Sequence, residues 1–594
     1  MRMWGMLLAL MLATPAMAQG KSPNGYALGA EQCGTFPRLR ITMRPGYCAG
    51  LVASRDDGLI FPRTIVQVPD TRFFVVADMG GWEPKQGRLL LLDPQAAAGK
   101  RLKMLIQGLD LPHGLAVGID RRSYVGTVDR IFRFDPLGPD PAASVETIIR
   151  GLPGLRPILA DGTVLKHNSH PLKHFVFDAA GRLFVNIGAP SDACATSAQE
   201  TKPCAAGEGT SPLAAVWLFT PPPGGVFPAL QPGEASPKHE VFARGLRNSM
   251  ALAAHGSGLL LQGENARDIP DAKVPNEEIN VLEAGGHYGW PYCHDLTTAS
   301  REYAVFLKTN PAYRNLCSDT AQYRQPHSVM PPHGAPLGML YYGAGKFPEL
   351  KDKLIVSLHG YRPTGSRVIV YDTDARGLPQ VAAPPVRYNV SCAASEVFAE
   401  HAKPIPAASY VELISGWHRV SGVRPQGAPV GMTVAADGAI WLAEDKNQTI
   451  IRIDSEPEAA AIGALPCGTR TPAQVADLAA RVMKNAENRK RLTEIRTQLI
   501  ERRCIGCHAD FDIRRGMSDA QKDAAVLGFL LAQDGWIFPG NPQGGRLHNR
   551  VWGKGAEKIM PADGRQLIAN EPGYQALLMT LDQFVARIPK LPTR

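Results

Sequence analysis

DAAGRLFVNIG, residues 178–188, is a tight turn feeding a strand: Asp178 and Gly181 supply the turn chemistry, and Leu183, Phe184, Val185 and Ile187 the apolar, β-branched and aromatic content of a strand. The same phrase recurs as PDTRFFVVADM (69–79), IDRRSYVGTV (119–128), HGSGLLLQGEN (255–265), LKDKLIVSLHG (350–360) and AADGAIWLAED (435–445). Copies lie roughly 50 to 90 residues apart, a spacing that suits four-stranded propeller blades with insertions. Six copies predict a mainly β, six-bladed β-propeller over residues 19–455. An irregular all-β sandwich would use similar turns but has no need of near-identical phrases at long intervals. Inner strands of a propeller face one axis, so a cofactor site assembled from distant segments is expected.

With 594 residues, 44% apolar and 20% charged, the chain is globular and too long for a single core. Its first residues, MRMWGMLLALMLATPAMAQ, combine Arg2, an apolar run over 3–13 and the small-residue site Ala16-Met17-Ala18, the pattern of a signal peptide over 1–18. The expected location is the periplasm. No later segment has the eighteen or so uninterrupted apolar residues of a membrane span. A net charge of +9, without Lys/Arg runs interleaved with aromatics, argues against nucleic acid as a partner.

The ten cysteines fit an oxidising compartment. Setting Cys504 and Cys507 aside, short separations favour the disulfides Cys33–Cys48, Cys194–Cys204 and Cys293–Cys317, which leaves Cys392 for Cys467.

Near residue 455 the texture changes. An Ala/Pro/Gly-rich linker (456–472) leads to the helix-like stretches AQVADLAARVMKN and ENRKRLTEIRTQLIERR, the second running into CIGCH. Cys504 and Cys507 have the spacing to form thioethers to a haem c while His508 gives the iron an axial imidazole. Met560, in EKIMPADG, is the candidate second iron ligand, a thioether that raises the reduction potential. The amphipathic NEPGYQALLMTLDQFVARI closes the pattern. Residues 473–594 thus resemble a small, all-α class I cytochrome c domain, which implies electron transfer.

LPHGLAVG, ARGLRNSMALA, NEEINVLEAGGHYGWPYC, PPHGAPLGMLYY and GAPVGMTVAADGAIWLAED together resemble the soluble PQQ-dependent glucose/sorbosone dehydrogenase family, a six-bladed propeller carrying pyrroloquinoline quinone across its axis. The resemblance implies a dehydrogenase of an aldose, a sorbosone-like aldehyde or another alcohol, using PQQ and Ca²⁺. It places Arg247 at the quinone oxygens, with a share in the chemistry, and Asn248 beside it. Arg362 and Arg367 become candidate partners of the PQQ carboxylates, and His113 a contact at the cofactor edge. Calcium would take the carbonyls of Ala266 and Arg267, with Asp268, Asp271, Glu277 and Glu278 as further acidic ligands, although a solvated acidic loop reads equally well.

The general base should be a histidine with a pKa near neutral. Among His167, His170 and His174, the family spacing of eleven residues before the turn glycine, Gly181, selects His170. Lys173, Ala266 and Ala428 stand where relatives often carry Arg, Gly and Arg, which bears on the carboxylate contacts and the substrate. Electrons would leave through the haem to a periplasmic cytochrome or membrane oxidase. The competing reading is a calcium-dependent lactonase or ligand-binding propeller with a haem for docking.

Overall fold

In the computed structural model the described residues are 28–456, apart from 40, 160–161, 196, 198, 272–273, 361–363, 383–386, 389–396, 399–406, 409 and 417–426, then 472–504, 513, 516–532, 537, 542, 546–552, 568 and 570–588. The expected signal peptide, the Cys392–Cys467 pairing, Arg362, Cys507, His508 and Met560 lie outside them.

Each repeated phrase forms the second strand of a four-stranded antiparallel blade: Phe74–Asp78, Ser123–Gly126, Leu183–Ile187, Leu260–Glu264, Leu354–Leu358 and Ile440–Glu444. The inner strands, one per blade, are Pro62–Gln67, Leu115–Val117, Phe175–Phe177, Ala251–Ala254, Pro336–Tyr341 and Pro429–Val434. Each packs against the next around the axis, and the sixth packs back against the first. That closed circuit establishes six blades.

The ring closes with strands from both ends of the propeller segment. Blade six takes its outer strand, Tyr47–Ala53, from the N-terminal side, antiparallel to Thr449–Ser455 with Ile450 opposite Ala53 and Ile453 opposite Ala49. Leu28–Cys33 and Phe36–Leu39 extend this sheet, and Cys33–Cys48 staples the extension to the closing strand. The Cys194–Cys204 and Cys293–Cys317 disulfides form as the spacing suggests. Between blades, alternate residues of facing sheets interdigitate. Phe74 of blade one stacks on Trp441 of blade six with ring centroids 4.0 Å apart, within a core that includes Val52, Ile65 and Ile450.

Beyond the propeller, helices Pro472–Met483, Ala486–Glu494, Ile495–Cys504, Asp519–Ala532, Arg546–Trp552 and Pro572–Arg587 share a core of their own. Leu492, Leu499, Leu530, Leu578 and Phe584 are fully buried there, and Cys504 packs half-buried against it. Arg496, also buried, is held by Asp523 at 2.6 Å and Glu501 at 2.7 Å.

Closure by a single outer strand makes the seam a cooperative weak point. Ile451 is fully buried between the closing strand and blade five. Ile451→Ala should cost about 2 to 5 kcal/mol and lower the propeller's melting temperature in calorimetry; a change confined to the helical unit's transition would contradict this reading of the seam.

Candidate active site

Within each blade the first strand begins, and the second ends, at the same face of the propeller, because the two are antiparallel neighbours. Residues ahead of the inner strands therefore meet residues at the ends of the repeated phrases around one opening. Blade one brings Arg63, blade two His113, blade three His170 to His174, blade four Arg247, Asn248 and Glu264, blade five His359 and blade six Asp445.

His170 has a fixed tautomer. Its Nδ1 lies 2.6 Å from the carbonyl oxygen of Ala189, which can only accept, so Nδ1 carries the proton and Nε2 the lone pair. Its backbone is positioned as well, since the His170 amide donates to Asn168 Oδ1 at 3.0 Å. The His170 segment packs so closely on the end of blade three's second strand that a Cβ at Gly188 would lie 2.5 Å from the His170 carbonyl oxygen. Burial, followed by the Arg247 cation, pushes the imidazole down to about 3. This departs from the near-neutral base expected from function: the ring is uncharged throughout the working pH range.

Arg247 is the hub of the second cluster. Its Nη1 donates to the Asn265 carbonyl at 3.0 Å, and its Nη2 reaches Asp268 at 2.8 Å and Asp192 at 3.0 Å. Its backbone amide donates to Glu264 Oε1 at 2.6 Å. Burial raises Glu264 to about 7, against the opposing pull of Gln262 and Arg247. Asp192 also accepts from the Asp268 amide at 2.8 Å and faces Arg267, which is held by Glu302 at 2.9 Å. Two residues further on, Cys194–Cys204 ties down the loop that carries Asp192. The Nε of Arg247 is buried with no hydrogen-bond partner.

A third cluster lies where blades one, two, three, five and six meet. Arg63 donates through Nε to His113 Nδ1 at 3.1 Å and forms a buried ion pair with Asp445. His359 Nε2 lies 3.0 Å from the same carboxylate. Burial pushes Asp445 up, but His359 and Arg63 more than offset it and the carboxyl falls below its ordinary range. Burial, then the charge of Arg63, holds His113 well below the usual imidazole range. His113 and His174 meet edge to face, 5.8 Å between centroids, and Nδ1 of His174 is buried without a partner. Lys173, fully buried, donates to the Pro171 carbonyl at 2.6 Å and is lowered by burial to about 7, with Asp129 pulling the other way.

Of the residues expected from sequence, His113, His170, Arg247 and Asn248 come together at this opening. Arg367 lies instead on the third strand of blade five and is paired with Glu412 on the outer strand of the same blade. The acidic loop does not converge either. Asp268 is spent on Arg247, and Asp271 is met through its carbonyl, which accepts from His333. Glu277 accepts from the Ala266 and Ala335 amides at 2.6 and 2.9 Å, whereas Glu278, the next residue on the strand, points to the other face and bonds Asn280. The Arg267 carbonyl accepts from the Ile269 amide at 2.9 Å. Among the described residues no group of three His, Cys, Asp or Glu side chains is placed to hold a metal ion.

Sequence reasoning missed Arg63, Asp192, His359 and Asp445. Two of them had a signal, for His359 and Asp445 follow the strands of the phrases LIVSLHG and IWLAED in the slot that Asn265 fills in blade four.

Residues 151–361 match the Glucose / Sorbosone dehydrogenase family. His170, Arg247, Asn248, Glu264 and His359 fall within this matched segment, while Arg63, His113 and Asp445 lie outside it. Among solved structures, a Trichoderma reesei protein of carbohydrate-active enzyme family AA12 is 16% identical with a TM-score of 0.50, covering 72% of this chain and all of that one. The PQQ domain of pyranose dehydrogenase from Coprinopsis cinerea is 18% identical with a TM-score of 0.47, over 71% of this chain and 99% of that one. The first of these shows a shared fold. An uncharacterized protein of Borreliella burgdorferi is 30% identical over 148 residues, which span 23% of this chain and 36% of that protein.

His174 offers a test of the burial described here. Burial lowers it to about 4, below its value in an unfolded chain, so its contribution to stability is complete above about pH 6.5 and is lost as pH falls toward 4. Urea melts at pH 4.5 and 7.5 should differ less in His174→Gln than in the parent, by about 1 to 3 kcal/mol.

Proposed function

We propose that this chain is an exported quinohaemoprotein that oxidises a hydroxyl-bearing sugar, a sorbosone-like aldehyde or another alcohol at PQQ, and releases the electrons through a haem c held by CIGCH. The observation that carries the reading is the pairing of an uncharged, oriented His170 with the cation of Arg247 at the open face of a glucose/sorbosone dehydrogenase-type propeller.

The residues fit a quinone with carboxylates. The buried, unpartnered Nε of Arg247 and Nδ1 of His174 are groups awaiting an acceptor or donor, and Arg63 and Arg247 place cations at the opening. PQQ bound there supplies a two-electron acceptor for the hydride equivalent leaving the substrate carbon. His170 Nε2 accepts the hydroxyl proton, and the Ala189 carbonyl holds the ring in position for it. The imidazolium that results stands near Arg247, a cost that Asp192 offsets from the far side of the guanidinium. Calcium is assigned no more than the carbonyls of Ala266 and Arg267, because the acidic side chains of the loop are engaged elsewhere, and no step runs through it.

For the helical unit, the supports are the CIGCH spacing, the position of Cys504 against the helical core and a buried orphan, Nε2 of His548, whose Nδ1 pairs with Asp582 at 2.7 Å. Cys504, Cys507, His508 and Met560 are the residues that would hold a haem, which would supply a one-electron outlet toward a periplasmic cytochrome or membrane oxidase.

His170→Ala should cut substrate oxidation roughly 10² to 10⁴-fold, the usual worth of a positioned base, while PQQ still binds. Asp192→Asn should weaken Arg247's hold and lower kcat without unfolding the propeller. Dye-linked assays of the PQQ-reconstituted protein read both effects, and full activity in His170→Ala would remove the base assignment.

Met560→Ala should lower the haem midpoint potential and slow substrate-driven haem reduction, leaving dye reduction intact. In stopped-flow spectra of the parent, haem that stays oxidised while substrate is consumed would overturn the internal electron path.

A further inference from the structure

Trp82 is the exposed tryptophan among the described residues. Trp217, Trp290 and Trp441 are buried and Trp552 is half-buried, whereas Trp82 is 55% exposed. It stands at the tip of the segment joining the second and third strands of blade one, Phe74–Asp78 and Gly87–Leu92. That segment leaves from the same face as the active opening, since Asp78 ends the second strand there.

An exposed tryptophan usually sits on a loose loop; this one is held. Asp78, fully buried, accepts from the amides of Phe61 at 2.8 Å, Ile60 at 2.9 Å and Gly80 at 3.0 Å, and pairs with Arg88 at 2.9 Å. Gly80 and Gly81 take φ of 70° and 140°, and a Cβ on Gly80 would lie 2.2 Å from the Gln86 carbonyl oxygen, so the loop closes on itself. On the far side the Lys85 amide donates to Asp110 at 2.9 Å. The indole meets the ring of Phe61 edge-on, 6.4 Å between centroids, and Arg63 lies 5.5 Å over that same Phe61 ring. A continuous path of contacts thus runs from Trp82 through Phe61 and Arg63 to His113 in the active opening. Ile60, Ile158 and Val164 are further exposed apolar side chains; Ile60 precedes blade one's inner strand, and the other two stand on the connection that leads into His170.

A rigid aromatic plane beside a polar opening is a platform for the apolar C–H face of a sugar ring, whose hydroxyls remain free for water. Its position decides which ring. The base belongs to blade three and Trp82 to blade one, with blade two between them, so one monosaccharide at His170 does not reach the indole. We infer that Trp82 is a subsite for a second, non-reacting glycosyl unit, and that the substrate is a disaccharide or longer glycan oxidised at the ring held by His170. This rests on the sugar-oxidising reading above and adds the substrate class.

The test compares the PQQ-reconstituted full chain with its Trp82→Ala and Trp82→Phe variants on glucose, cellobiose and maltose. The ratio of kcat/KM for a disaccharide to that for glucose should fall roughly three- to tenfold in Trp82→Ala, mainly through KM, with most of the ratio restored in Trp82→Phe. An unchanged ratio in a chain that oxidises all three sugars overturns the subsite and leaves the dehydrogenase reading standing. Calorimetric titration of the same sugars without PQQ separates the two ideas. Disaccharide binding weakened by Trp82→Ala supports the subsite even where no oxidation occurs, and binding that the substitution leaves unaltered overturns it.

Discussion

The constraint on which everything else depends is the closure of the propeller ring. Six inner strands can face one axis only if the last blade meets the first, and here the meeting is made by Tyr47–Ala53 adding to Thr449–Ser455. The active opening crosses that seam. Arg63 of blade one pairs with Asp445 of blade six, and Gln448 Nε2 donates across it to the Ile60 carbonyl at 2.8 Å. Closure and site assembly are therefore one event: a chain that fails to recruit its N-terminal strand lacks both the last sheet edge and the charge pair at the axis. The Cys33–Cys48 bridge reduces the conformational freedom that this long-range recruitment must overcome.

The charges gathered at the opening are a poor investment in stability. Buried ion pairs such as Arg63–Asp445 roughly recover the desolvation they incur, and apolar substitutes would often serve a fold as well. What they provide is fixed orientation. Arg247 is held from three directions by Asn265, Asp268 and Asp192, and His170 is held by a carbonyl that dictates its tautomer. The same burial that fixes these groups keeps His113, His170 and His174 uncharged, so the opening offers lone pairs and guanidinium donors instead of titrating imidazoles. A hydroxyl proton can then move to a neutral acceptor beside a permanent cation.

The two halves of the proposed reaction differ in electron count. A hydroxyl oxidation delivers a pair of electrons, whereas an iron centre takes one, and under the proposed function this gives a reason for a propeller that would hold a quinone to share a chain with a CIGCH segment. The helical unit has its own core, with Arg496 locked by acidic neighbours and no residue in common with the propeller clusters. It is thus stabilised separately from the propeller.

Local periodicity was enough to read the blades. Turn chemistry followed by a short apolar strand is encoded within about ten residues, and six such phrases at long intervals leave few other architectures. Three disulfides and the helices at 472–504 and 572–587 were legible from spacing and periodicity that are likewise short in range. Arg367 shows where this stops. The resemblance placed a cation near a cofactor, whereas in the structure that cation pairs with Glu412 on the neighbouring strand. Glu277 and Glu278 were likewise two adjacent acids in the sequence and became residues of opposite faces in the strand. Asp192 and Arg63 carry no local signature at all, because their roles exist only after blades far apart in the chain are brought edge to edge. The sequence by itself determined the repeating unit and the chemistry available to it; the partners of each charge were decided by ring closure, which joins residues separated by up to several hundred positions and is invisible to any local pattern.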